Sequence, residues 1–226
     1  MRRLTIIALA ASLSTASGAA PQVERVRGTI VSVDDSGLVI KSDDGRSETV
    51  ALKDDTKFAS VVKSSLDAIK DGVFIGTATK EGDPPIAIEV VLFPEAMRGT
   101  GEGHYPWDEI QDTTTGGTPK VRSSMTNGTV KSSAGSGASK VKSAMTNGTV
   151  AKSGGDSGQR TITVFYGQDS SQTISVPPSA PIVAFEAADR SIVAPGAKAF
   201  VVAAKEDGKL TARRVAVGQD GLRPPM

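Results

Sequence analysis

Two stretches of this chain carry the same succession of short β-branched runs, separated by turns rich in glycine and aspartate. That succession restricts the fold more than any other feature. Residues 26–33 read Val-Arg-Gly-Thr-Ile-Val-Ser-Val, and Asp34-Asp35-Ser36-Gly37 breaks the run. Residues 38–42, 48–52, 73–79 and 86–93 follow as further strands. Asp43-Asp44-Gly45 gives a type I′ hairpin signal, and residues 64–72 read as one capped helical turn ending at glycine. The order then returns. Residues 38–42 correspond to 161–166, 48–52 to 172–176, 66–72 to 192–196, 73–79 to 199–204 and 86–92 to 210–217, while Gly28-Thr29-Ile30 matches Gly148-Thr149-Val150. Short strands at regular spacing with Gly-rich turns predict an all-β chain of two small OB-like β-barrel modules, residues 22–97 and 143–219.

Between these units, residues 98–142 form a connector, and residues 220–226 a short C-terminal tail. From residue 113 to 158 the chain is Gly, Ser, Thr and Lys with few apolar side chains. Such a composition predicts a flexible linker, because too little apolar surface is buried to offset ordering entropy. A second repeat lies inside it. Residues 120–130, Lys-Val-Arg-Ser-Ser-Met-Thr-Asn-Gly-Thr-Val, recur at 140–150 with changes only at Arg122/Lys142 and Ser124/Ala144. Spacing to Thr161 makes the second copy the expected first strand of the second module. The first copy is then a surplus duplicate, expected to be mostly unstructured and able to compete for the same slot.

The N-terminus predicts an address. Arg2 and Arg3 precede an apolar run over residues 4–13, and Ser17-Gly18-Ala19-Ala20 follow, the three-part pattern of a secretory signal peptide over residues 1–20. The run is shorter than the roughly 20 residues of a bilayer span. The mature protein is therefore expected in the periplasm, with secretion as the second choice. Without Arg2 and Arg3 the 26 basic residues fall to 24 against 25 acidic ones, so the basic excess of a nucleic-acid binder is missing. The chain contains no cysteine, which excludes disulfides, thiolate metal ligands and a cysteine nucleophile.

Chemistry is concentrated in residues 99–112. Glu102, the single histidine His104, Asp108 and Glu109 form a candidate ligand set for a divalent metal ion. Tyr105 and Trp107 are candidate partner contacts, or anchors between the modules. Gly99-x-Gly101-x-Gly103 departs from the dinucleotide fingerprint, since His104-Tyr105-Pro106 follows it in place of a helix. The Asp pairs at 34–35, 43–44 and 54–55 lie in turns, where Asp bonds to nearby backbone. No Gly-x-Ser-x-Gly elbow stands in a strand–helix context, and no nucleophile–base pair can be named.

The opening Val26-Arg27-Gly28-Thr29-Ile30, the segment Pro94-Glu95-Ala96-Met97-Arg98-Gly99-Thr100-Gly101-Glu102-Gly103-His104, the Met145-Thr146-Asn147-Gly148-Thr149-Val150 opening and the Val217–Met226 ending together resemble a group of exported proteobacterial proteins built from DUF5666-type, OB-like β modules. The resemblance spans nearly the whole mature chain; the doubled Met-Thr-Asn-Gly-Thr-Val segment departs from it. It implies no activity. A metal-transporter permease label sometimes attached to such proteins needs several membrane spans, for which this sequence has no candidates. The expected function is a non-enzymatic binding or interaction protein of the cell envelope, taking an envelope protein or a small ligand and using no cofactor. The alternatives are a metal-binding accessory protein loaded with a divalent ion, and an enzyme of unrecognised type.

Overall fold

The computed structural model describes residues 22–116, 119–131 and 160–225. Residues 1–20, expected to be a signal peptide, and the second copy at 140–150 lie outside the described residues. All-β architecture is what the chain adopts. The strands of the first sequence unit are β1 (Gln22–Val33), β2 (Gly37–Ser42), β3 (Ser47–Ala51), β4 (Lys57–Lys63), β5 (Phe74–Lys80) and β6 (Ile86–Leu92). The connector carries β7 (Gly103–Pro106), β8 (Ile110–Gln111) and β9 (Lys120–Val121). β10 (Ser124–Lys131), still within the expected connector, takes the place foreseen for the first strand of the second unit, which contributes β11 (Arg160–Tyr166), β12 (Ser170–Val176), β13 (Ile182–Ala188), β14 (Lys198–Glu206) and β15 (Lys209–Gly218). Among the described residues helical structure is confined to short 3-10 turns, such as Leu66–Ala68 and Arg190–Ile192. Among the described residues no helix is long and apolar enough to cross a membrane.

Pairing corrects the expectation of two self-contained modules. The hydrogen-bonded path runs β12-β11-β10-β5-β6-β13-β4-β15-β14-β1-β2-β3. Parallel pairing of β15 with β3, and of β12 with β6, curls each end back on itself. One closed ring is therefore β1-β2-β3-β15-β14 and the other β10-β11-β12-β6-β5. Each joins the opening strands of one sequence unit to the closing hairpin of the other. Two strands that the sequence reading passed over carry the exchange. β4 leaves β3, runs parallel to β15 and antiparallel to β13, with Ser60 opposite Glu186. β13 makes the reciprocal crossing and runs parallel to β6.

Three cores follow. In the first ring Val26, Ile30, Leu38, Ile40 and Val50 meet Val201, Leu210, Val215 and Val217 from the exchanged hairpin. In the second, Val130, Ile162, Val164 and Ile174 meet Ile75 and Val90. The third lies where the rings abut, and holds Phe74, Phe93, Phe185 and Phe200 with Val61, Val91 and Met125. Phe93 lies between Phe74 and Phe185, with ring centroids 5.7 and 5.3 Å away. Edge-to-face and tilted contacts of this kind add to the area they bury.

The first copy of the doubled segment is ordered, against expectation. Residues 120–131 form β9 and β10, with Met125 and Thr126 fully buried and Asn127 6% exposed. β10 pairs with β5 along Ser124–Thr129, with β7 along Ser124–Asn127 and with β11 from Thr129. Glycine explains why this motif suits the slot. A Cβ on Gly128 would lie 2.1 Å from the Phe165 carbonyl oxygen, and one on Gly28, at the same place in β1, 2.1 Å from that of Lys41. Only Gly allows the neighbouring backbone so close. The start of the expected flexible linker is tied down as well. The Thr113 hydroxyl donates to the Ile88 carbonyl, and the Asp112 carboxylate accepts from the Thr114 N–H at 2.9 Å.

The turns divide the hairpin rule. At Asp207-Gly208 both residues have positive φ, 49° and 77°, as a two-residue type I′ turn requires. At Asp43–Gly45 only Gly45 does, the Gly45 N–H bonds to the Ser42 carbonyl, and the Ser42 N–H bonds to the Arg46 carbonyl. The hairpin there is a longer loop with a left-handed glycine, not type I′.

Candidate functional site: an aromatic and arginine-lined cleft

β6 ends against Pro94, and a 3-10 turn, Glu95–Met97, starts the connector. Arg98 fixes its exit: it donates to Glu95 at 2.5 Å, to the Thr129 hydroxyl at 2.9 Å and to the Gly72 carbonyl at 2.8 Å. Gly99, Gly101 and Gly103 all have positive φ, so the Gly-x-Gly-x-Gly motif winds the backbone round to lay β7 against β10. His104 then faces Thr126 in the register, and Tyr105 faces Met125.

Strand alternation sorts the side chains of β7 and the residues after it. His104 and Pro106 face outward, while Tyr105 and Trp107 turn inward and are half-buried against the central core. Their rings sit 5.9 Å apart. Tyr105 Oη donates to the Gly101 carbonyl at 3.1 Å, and Asn127 Nδ2 donates to the same carbonyl at 3.0 Å. Burial raises the Tyr105 phenol above its usual range, against an opposing pull from Arg25. Beyond Trp107 the chain is fastened to β1. The Arg25 guanidinium lies 3.9 Å from the Trp107 ring centroid, and Arg27 lies 4.9 Å from that of Phe200. Asp108 accepts from Arg25 at 3.2 Å and from Arg27 at 2.9 Å.

A cleft of about 330 Å³ opens beside these rings. Its walls come from β1 (Arg25), β7 and its exit (Tyr105, Trp107), β14 (Phe200) and β15 (Arg213, Arg214). No acidic side chain lines it among the described residues. Arg213 and Arg214 form no ion pair or side-chain hydrogen bond among the described residues. Arg214 is partly buried, and desolvation holds its pKa below the usual arginine value. At the cleft wall Trp107 Nε1 is buried and has no hydrogen-bond partner among the described residues. A hollow of about 460 Å³ beside Val62, Lys63 and the Gln219–Gly221 turn has no aromatic wall. A groove of about 390 Å³ along Arg25, Asp44 and Arg46 mixes charges that already pair, as Arg46 does with Asp44 at 2.8 Å.

The expected metal ligands engage separate partners. Glu102 accepts the Gly167 N–H at 3.0 Å. His104 Nδ1 lies 2.9 Å from the Thr126 hydroxyl, and its ring stacks on Tyr166 at 6.1 Å. Asp108 is held by the two arginines, and Glu109 lies on the exposed rim of the neighbouring groove. Among the described residues no three His, Cys, Asp or Glu side chains gather as a metal site. Asp112 instead forms a buried pair with Lys80 at 2.7 Å. Burial alone would raise its pKa, but the Lys80 ammonium and the Thr114 hydroxyl and N–H outweigh it and bring it to about 2.

Tyr105 and Trp107 were visible in the sequence as a local aromatic pair. Their partners were not, since Arg25, Phe200 and Arg214 arrive from three strands far along the chain and read there as ordinary alternation. No family model, no curated protein and no solved structure matches this chain.

Proposed function

We propose that this chain is a non-enzymatic binding protein of the cell envelope, exported by its N-terminal segment and engaging its ligand at the Trp107 cleft. The observation carrying this reading is the pairing of aromatic walls with Arg213 and Arg214, which have no counter-charge among the described residues. Concave, largely apolar sites with a few convergent polar groups are where small molecules bind. A guanidinium kept partly out of water with no anion beside it is costly for stability alone. Support for a non-catalytic role comes from the one histidine. His104 is on the outward side of β7, engaged with Thr126 and Tyr166, while Tyr105 and Trp107 face the cleft.

Export predicts a mature N-terminus at Ala20 or Pro21, which mass spectrometry of the envelope fraction reads directly. Binding is tested by thermal shift of the mature protein against envelope metabolites. A ligand of the native state raises Tm by mass action. The reading requires at least one ligand whose shift disappears in Trp107→Ala, while Tyr166→Ala on the opposite side of β7 retains it. If no metabolite shifts the wild type, or if every shift survives in Trp107→Ala, the cleft is not the binding site.

A further inference from the structure

The charges around the cleft indicate what class of molecule it takes. Arg25 stands over the Trp107 ring and is already engaged by Asp108, whose single carboxylate it shares with Arg27, so this trio keeps a net positive charge. Arg214 lies in the same cross-strand row as Arg25, both being paired with Val202 of β14, and neither it nor its neighbour Arg213 has an acidic partner among the described residues; no described residue of the lining is acidic. The field inside is therefore positive, and a cationic ligand would be repelled. Trp107, Phe200 and Phe93 supply flat apolar surface beside those guanidiniums. A ligand must therefore offer both an apolar body and a negative charge. The volume, about 330 Å³, lies at the small end of ligand sites and does not suit a polymer.

Resting on the binding function proposed above, we propose that the cleft recognises a small amphipathic carboxylate, its aromatic or short acyl body against Trp107 and Phe200 and its carboxylate paired with Arg214. Arginine suits this task because its planar fork donates two parallel bonds to one carboxylate, which a lysine cannot do. Arg213, exposed at the rim, adds attraction during approach more than hold. Desolvation acts in the same sense: Arg214 already bears part of that cost in the free protein, so less remains to be met on binding.

Trp107 is the only tryptophan of the chain, so its emission reports on this cleft alone. Phenylbutyrate and its uncharged amide share one shape and differ in the charge. Titration of the mature protein with phenylbutyrate is expected to change Trp107 emission saturably, with the amide roughly ten-fold weaker. Arg214→Gln is expected to weaken phenylbutyrate about ten-fold and leave the amide unchanged. Its Tm should equal or exceed the wild-type value, because a desolvated charge is removed. Arg214→Lys, which keeps the charge and loses the fork, should fall between the two.

Equal binding of acid and amide, or unchanged phenylbutyrate binding in Arg214→Gln, overturns the carboxylate assignment while leaving the cleft a binding site. No response to either probe, alongside a metabolite that shifts wild type but not Trp107→Ala, overturns the ligand class and spares the binding function. No response to any compound overturns both.

Discussion

Deleting residues 120–139 joins Pro119 directly to Lys140 and presents the second copy of the doubled segment to the β10 slot. Each contact the slot makes can be traced. Met145 replaces the fully buried Met125, Thr146 replaces Thr126, and Asn147 supplies the amide that bonds to the Gly101 carbonyl. Gly148 replaces Gly128, where any Cβ would strike the Phe165 carbonyl. Three changes result, and all are mild: exposed Lys131, 4.5 Å from the Phe165 ring centroid, becomes alanine and gives up a cation–π contact of about 0.5–1 kcal/mol. Arg122 is exposed and becomes lysine; Ser124 becomes alanine, but the Thr79 hydroxyl bonds to its backbone carbonyl, which is retained. Surface changes of this kind cost within about 0.5 kcal/mol. The span between β10 and β11 shrinks from residues 132–159 to residues 152–159, roughly 3.5-fold, which lowers the closure entropy by about 1 kcal/mol. The balance is close to zero. Thermal unfolding followed by far-UV circular dichroism should give a single transition within about 4 °C of the wild type. A drop of more than about 10 °C, or loss of cooperativity, would refute the claim that the motif, not its position in the chain, specifies this strand.

Gly128→Ala should destabilise by about 3 kcal/mol or more, since the obstacle is backbone and cannot rotate away; Gly116→Ala, in an exposed turn with open space around it, should cost far less, and urea midpoints compare the two. Asp112→Asn should cost about 2 kcal/mol at neutral pH by weakening the bond to Lys80. Because the Asp112 pKa is lowered in the fold to about 2, its contribution is full above the unfolded carboxylate range near 4 and disappears as pH falls from there toward 2. The gap in stability between wild type and Asp112→Asn should close over that window in an acid titration, and a constant gap would contradict the assignment. Residues 22–97 expressed alone should remain unfolded by amide exchange, because β1–β3 lack the hairpin that closes their ring, whereas a stable fragment would contradict the exchange of hairpins.

Strand content was legible because it depends on local alternation. The runs at 38–42, 73–79 and 86–92 show β-branched patterning strong enough to stand alone, and the Asp207-Gly208 turn obeys the rule read from dipeptides. Partner choice was not legible. The hairpins β5–β6 and β14–β15 present equivalent apolar faces, so the pattern of either satisfies either ring. What decides between them is the path of β4 and β13. These were missed because Lys-Phe-Ala-Ser-Val-Val-Lys and Ile-Val-Ala-Phe-Glu-Ala-Ala are buried along much of both faces, so they do not alternate cleanly. The first copy of the doubled segment was misjudged for a related reason. Distance to the next strand favoured the second copy, whereas β7, the element that pairs with β10 from the connector side, was not recognised as a strand. In the cleft, the contiguous Tyr105 and Trp107 announced themselves, while Arg214 depended on a register between β14 and β15 that sequence does not display.

The reciprocal hairpins also set the timetable of folding. β1 is made well before the strands that complete its ring, residues 198–218. The ring of β5, β6 and β10–β12 lies within residues 74–176 and is complete earlier, whereas β1–β3 must stay open until the last hairpin reaches them through contacts between distant parts. Topologies of this kind are slow to form and leave strand edges exposed meanwhile. Under the export proposed above, such delay is an advantage; at high concentration, the vacant β1–β3 ring invites a neighbour's hairpin in place of its own.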